Sequence, residues 1–127
     1  MTKMNHLHTS LTEPLSSYRS CDVPTLLGQI SSTVKEIISN GSYKRVVSVD
    51  AEGEYTPVGV LFPLSNAAAI RVLYTYFDLY EVQLIKIDGE SMTIAKSCDG
   101  VFADQLDEVV NMTAARWALD EALEELS

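Results

Sequence analysis

Apolar positions along the chain change period several times, and each change marks an element. Residues 1–21 mix Ser, Thr, His and Asn without a period, which predicts a mobile tail ahead of one domain over residues 22–127. From Pro24 to Ser39, Leu26, Leu27, Ile30, Val34, Ile37 and Ile38 share one face at helical spacing. Asp22 or Thr25 can cap that helix, Pro24 suits its first turn, and Asn40-Gly41 supplies a stop. Tyr43–Asp50 is valine-rich and reads as a strand, Ala51–Glu54 as a turn, and Tyr55–Phe62 as the hairpin partner. Pro57 has no N–H to give a ladder, so its strand is expected at an edge or with a bulge.

The middle of the chain supports two readings. Ala69, Val72, Leu73, Tyr76, Phe77 and Tyr80 fit a helical face, yet Val72–Phe77 is also strand-like by propensity. The run Ala67-Ala68-Ala69 after a capping Ser65 favours the helix. Tyr80–Ile87 and Glu90–Ser97 then form a hairpin around Asp88-Gly89, a turn pair that suits the strand twist. The expected register pairs Ile87 with Glu90, Ile85 with Met92, Gln83 with Ile94 and Glu81 with Lys96. One hairpin face carries Ile85, Ile87, Met92 and Ile94, and the other carries Val82, Leu84 and Ala95.

A last helix is expected from Phe102 to Leu126, with Asp99 or Asp104 as cap. Its apolar stripe turns: Phe102, Leu106, Val109, Val110 and Trp117 share one side, while Met112, Ala115, Leu119, Ala122, Leu123 and Leu126 share another. Either the helix breaks near Asn111-Met112-Thr113, or it packs on two surfaces. The whole is an α+β domain with an antiparallel sheet, helices mainly on one face, and the order αββ-αββ-α.

Composition narrows the function classes. A chain of 127 residues, 46% hydrophobic, can bury a core as one domain without metals or disulfides. Its net charge of −9 is unevenly spread. Residues 1–45 carry five bases and three acids, residues 46–103 three bases and eight acids, and residues 104–127 one base and seven acids. Such a surface repels phosphate backbones, so nucleic acid is disfavoured as a partner. Cys21 and Cys98 form no zinc or C-x-x-C pattern, no apolar leader opens the chain, and no run is long enough to span a membrane. The expectation is a cytoplasmic protein with two reduced thiols.

No catalytic constellation is visible. His6 and His8 fall in the tail, no nucleophile elbow occurs, and no glycine-rich phosphate loop occurs. Asp50, Glu52 and Glu54 alternate around Gly53 as calcium ligands would, but the rest of a calcium loop is missing. The expectation is therefore no enzyme, no cofactor and no metal, with calcium at those three residues as a minor alternative. Tyr74, Tyr76, Phe77 and Tyr80 could stack bases, but at their spacing they suit a core better.

The stretch from Ile85 to Leu126, with its Asp88-Gly89 hairpin, acidic amphipathic helix and Trp117, resembles the class I type III secretion chaperones and the related YbjN-like domains. The likeness is one of element order over residues 24–126. It implies a non-catalytic, chaperone- or adaptor-like homodimer that holds an extended segment of another polypeptide. Residues 65–79 would then be the dimerisation helix, with Leu73 and Phe77 at the interface. Partner contacts are expected at Ile85, Ile87, Met92, Ile94, Trp117, Leu119 and Leu123. Two other readings stay open: an acidic inhibitor or nucleic-acid-mimicking decoy, and a small-ligand or calcium-responsive regulator.

Overall fold

The computed structural model describes residues 18–30, 43–49, 51–75 and 78–126. A short helix α1 (Val23–Gly28) precedes five strands: β1 (Lys44–Val49), β2 (Tyr55–Pro63), β3 (Ala68–Tyr74), β4 (Tyr80–Asp88) and β5 (Ser91–Val101). A single 3₁₀ turn (Ala103–Gln105) leads into the long helix α2 (Leu106–Leu126). The strands pair in chain order as one antiparallel meander, so β1 and β5 are the edges. This is the expected α+β class, with both described helices packed on the same sheet face.

The middle segment corrects the expected order. Residues 68–74 form a central strand, and Leu73 is fully buried. A helix lost here because the strand is buried on both sides. Ala68, Ile70 and Val72 join the cluster under the helices, while Ala69 and Leu73 join the cluster on the opposite face. A doubly buried strand shows no polar alternation, so its sequence period is ambiguous. Ser65 does engage a neighbouring backbone, but its Oγ accepts the Ala67 N–H at 3.0 Å and shapes the β2–β3 turn.

Bulges then set the details. Between β1 and β2 the register slips at Val46/Val47, where Gly59 and then Pro57 face the partner strand. That is the expected consequence of Pro57, although β2 is an inner strand. Gly59 also meets β3 so closely that an added Cβ would lie 1.9 Å from the Val72 carbonyl oxygen. The β4–β5 hairpin pairs Asp88 with Ser91, Ile87 with Met92 and Ile85 with Ile94. Its turn residues are Gly89, at φ 63°, and Glu90. A glycine at the first central position suits a type II′ turn, which displaced the expected Asp-Gly turn. The shift of two residues keeps Ile85, Ile87, Met92 and Ile94 on one face, and a further register shift between Leu84 and Ile85 carries Lys96 to the other. The expected Glu81–Lys96 pair is not formed, because Lys96 faces Leu84.

The supposed tail is docked at its end. Tyr18 bridges Thr75, the Arg19 N–H donates to the Tyr74 carbonyl at 2.9 Å, and the Cys21 N–H donates to the Pro57 carbonyl at 2.8 Å. Residues 18–21 are thus docked on the sheet, ahead of the expected domain start at 22. The expected first helix forms over Val23–Gly28, where Thr25 Oγ1 donates to Asp22 Oδ2 at 2.5 Å, but it is capped at Gln29, well short of the expected stop at Asn40-Gly41. The expected span from residue 31, together with His6, His8, Asp50, Tyr76 and Phe77, lies outside the described residues.

Two outcomes test this packing. Gly59→Ala should lower stability by about 3 kcal/mol in urea denaturation, because backbone rather than a yielding side chain occupies the space. A loss below about 0.5 kcal/mol would contradict the close approach. Burial, with help from the charge of Asp22, pushes the Cys21 thiol from 9.0 up to about 11. Burial likewise pushes the Tyr80 hydroxyl from 10.0 up to about 12. Both groups ionise more readily when unfolded, so their contribution is complete below pH 9 and is lost as pH rises toward 11–12. The urea midpoint should fall between about pH 9 and 12, and Cys21→Ala should flatten that fall without abolishing it.

Candidate functional site

Helix α2 determines which surfaces remain open. Leu106, Val110 and Ala114 are buried, and Val109 and Trp117 pack beside them. This face lies on β3 and β4 and ends at Trp117. The helix continues unbroken to Leu126. Thr113 Oγ1 donates to the Val109 carbonyl at 2.8 Å, so the Asn111–Thr113 stretch is absorbed into the helix. Beyond Met112, which borders a crevice over β4 and β5, the second stripe therefore projects away from the sheet. Met112 is 63% exposed, Leu119 52%, Leu123 55% and Leu126 84%.

Met112, Ala115, Leu119, Ala122 and Leu126 are spaced by alternating threes and fours. That is the repeat of a coiled-coil seam, here about 21 Å long. Ala, Leu and Glu dominate residues 118–126, so this half stays helical by intrinsic preference without a sheet beneath it. Asp120, Glu121, Glu124 and Glu125 flank it, and no base stands in the last turn to offset the helix dipole.

The structure divides the expected partner residues. Leu119 and Leu123 are open on the seam, and Ile94 is exposed on edge strand β5. Trp117 is partly covered by the core. Ile85 and Met92 are buried in the second cluster, with Ile87 packed against it. Both faces of β4 are thus used internally, while β5 stays exposed along most of its length. Leu73 is equally unavailable as a dimer contact. Glu52 and Glu54 are exposed, and among the described residues no three acidic, His or Cys side chains group to hold a metal ion.

Two features were not foreseen. The first is a pocket of about 330 Å³ between α2 and the β4–β5 hairpin. Val82, Leu84, Val109 and Met112 give it an apolar lining, and Lys96, Cys98, Thr113 and Arg116 also border it. It exists because α2 lies over β3 and β4, while β5 offers Lys96 and Cys98 opposite Leu84 and Val82. Neither side chain fills the wedge as a large apolar residue would.

The second is a polar line on the opposite sheet face. Arg71 and Gln83 are fully buried, and Arg71 Nε donates to Gln83 Oε1 at 2.6 Å. Gln83 Nε2 donates to Glu81 Oε2, while the Tyr18 hydroxyl donates to Glu81 Oε1 at 3.1 Å and Ser97 Oγ to Glu81 Oε2 at 3.2 Å. At the sheet end, Tyr74 donates to Asp78 Oδ1 at 2.8 Å, which pushes its own pKa up. Arg19 pairs with the same carboxylate and lies 5.4 Å from the Tyr74 ring centre. Asp78 adopts a φ of 58°, held by a turn in which the Thr75 N–H donates to the Leu79 carbonyl. These groups pin residues 18–21 to the sheet.

No helix among the described residues is long and apolar enough to cross a membrane. No protein-family model matches the chain, and no curated protein or solved structure shows significant similarity to it.

Proposed function

We propose that this protein is a non-catalytic protein-interaction module, adaptor- or chaperone-like, whose docking element is the free half of α2. The supporting observation is the exposed seam Met112–Ala115–Leu119–Ala122–Leu126, with Leu123 at its side. An apolar stripe at coiled-coil spacing beyond the edge of its own core fits an amphipathic helix from another polypeptide. The acids along its flanks select a partner with basic flanks. A second copy of the chain suits the seam only antiparallel, with Arg116 beside the acids of its mate. A parallel copy would stack four acids against four. Burying the four large side chains and four counterparts on the partner gives about 1–2 kcal/mol each, against association costs that begin near 4 kcal/mol. The expected affinity is therefore roughly micromolar.

Trp117 is the single tryptophan and sits one turn from the seam, so its fluorescence reports occupancy. A synthetic helix with leucines at coiled-coil spacing and lysines on its flanks should shift that emission at micromolar concentration. Leu119→Glu with Leu123→Glu should remove the response and leave stability within about 0.5 kcal/mol, because both positions are exposed. Raised salt should weaken binding severalfold without ending it. A scrambled peptide of equal charge that bound as well would refute the seam. Complete loss in salt would favour the acidic-decoy reading. Light scattering on the chain alone reads the antiparallel homodimer, which the same double substitution should dissociate.

A further inference from the structure

We infer that the wedge between α2 and β5 is a binding site for a small hydrophobic monocarboxylate of medium chain length. Its volume of about 330 Å³ is at the small end of ligand pockets. That excludes a long lipid and admits a single short alkyl chain. Val82, Leu84, Val109 and Met112 supply apolar surface for the tail.

Charge identifies the head group. From Ile87 to Ser127 the chain carries ten acids and only two bases, Lys96 and Arg116. Both bases line this pocket. Two cations from different elements thus converge on one apolar crevice within the most acidic third of the protein. They share one carboxylate, Asp120, with Lys96 Nζ at 3.9 Å from Oδ2 and Arg116 Nε at 3.4 Å from Oδ1. Contacts that long between exposed side chains hold little energy and yield readily to a competitor. Two positive charges against one negative leave a net positive charge at the mouth. A second carboxylate can take it while its tail covers the lining below. A cationic or zwitterionic head would meet Lys96 and Arg116 unfavourably.

Cys98 borders the same pocket and is exposed, whereas Cys21 is buried, so alkylation of Cys98 reads occupancy directly. Octanoate and decanoate, below their micelle concentrations, should slow alkylation of Cys98 and shift the methyl signals of Val82, Leu84 and Met112. Decanoate should bind about tenfold more tightly than octanoate, from its two extra methylenes. A trimethylammonium amphiphile of the same chain length should bind at least tenfold more weakly than decanoate. Lys96→Gln with Arg116→Gln, both exposed and so neutral for folding, should erase that preference. Equal binding of carboxylate and ammonium by the unaltered protein would overturn the proposal, as would unmoved Val82 and Leu84 signals. Tighter binding of a peptide through its terminal carboxylate would overturn it in favour of a polypeptide ligand. The Leu119→Glu, Leu123→Glu protein should still bind decanoate, which separates this site from the helix seam.

Discussion

Burial of β3 on both faces is the constraint from which the rest of the fold follows. Six of its seven positions are buried, including Arg71. A guanidinium in that place must be hydrogen-bonded, and the cost of leaving it alone exceeds any single packing gain. Gln83 answers it from the paired position on β4, and Gln83 in turn engages Glu81. The polar line fixes the register of β3 against β4, because a slip by one residue would carry Arg71 into the apolar cluster beneath the helices. Gly59 applies the same discipline from the other side, since only a residue without Cβ lets β2 approach the Val72 carbonyl.

With the sheet centre claimed, α2 is left with too little surface for its length. Its buried positions span Leu106 to Ala114, with Trp117 as the last residue against the core. At 1.5 Å per residue the helix runs about 13 Å further. The same geometry opens the wedge at β5, whose own strand is exposed along most of its length. The free seam and the pocket are thus two results of one mismatch between a long helix and a narrow covered face.

Much of this was legible in the residues. The turned stripe of α2 showed that the helix has two apolar directions, and Val82 and Leu84 read correctly as one hairpin face. Pro57 announced the bulge. What misled was the doubly buried strand. Ala67-Ala68-Ala69 with Ser65 in front looks like a helix start, and alternation, the signal that would have corrected it, vanishes when neither side faces water. The hairpin side chains invited the opposite error. Ile85 and Met92 look like spare apolar surface until the second cluster is seen to use them. Lys96 and Arg116 stand twenty residues apart, and only the packing of α2 beside β5 brings them to one pocket.

Seam and pocket meet at Met112, and the charge pattern separates the rest of the two surfaces. Acids crowd the end of α2, where the helix dipole already makes them unfavourable. Within α2, Arg116 pairs with Asp120. A basic partner offsets the cost of these acids, and so does solvent, which is why the seam suits reversible contact better than permanent burial. At the pocket the logic is reversed. Two bases persist in a region, Ile87 to Ser127, that carries ten acids, and Asp120 compensates only one of them. A surface selected for solubility alone would have no reason to place its only two local cations over a crevice lined by Val82 and Leu84.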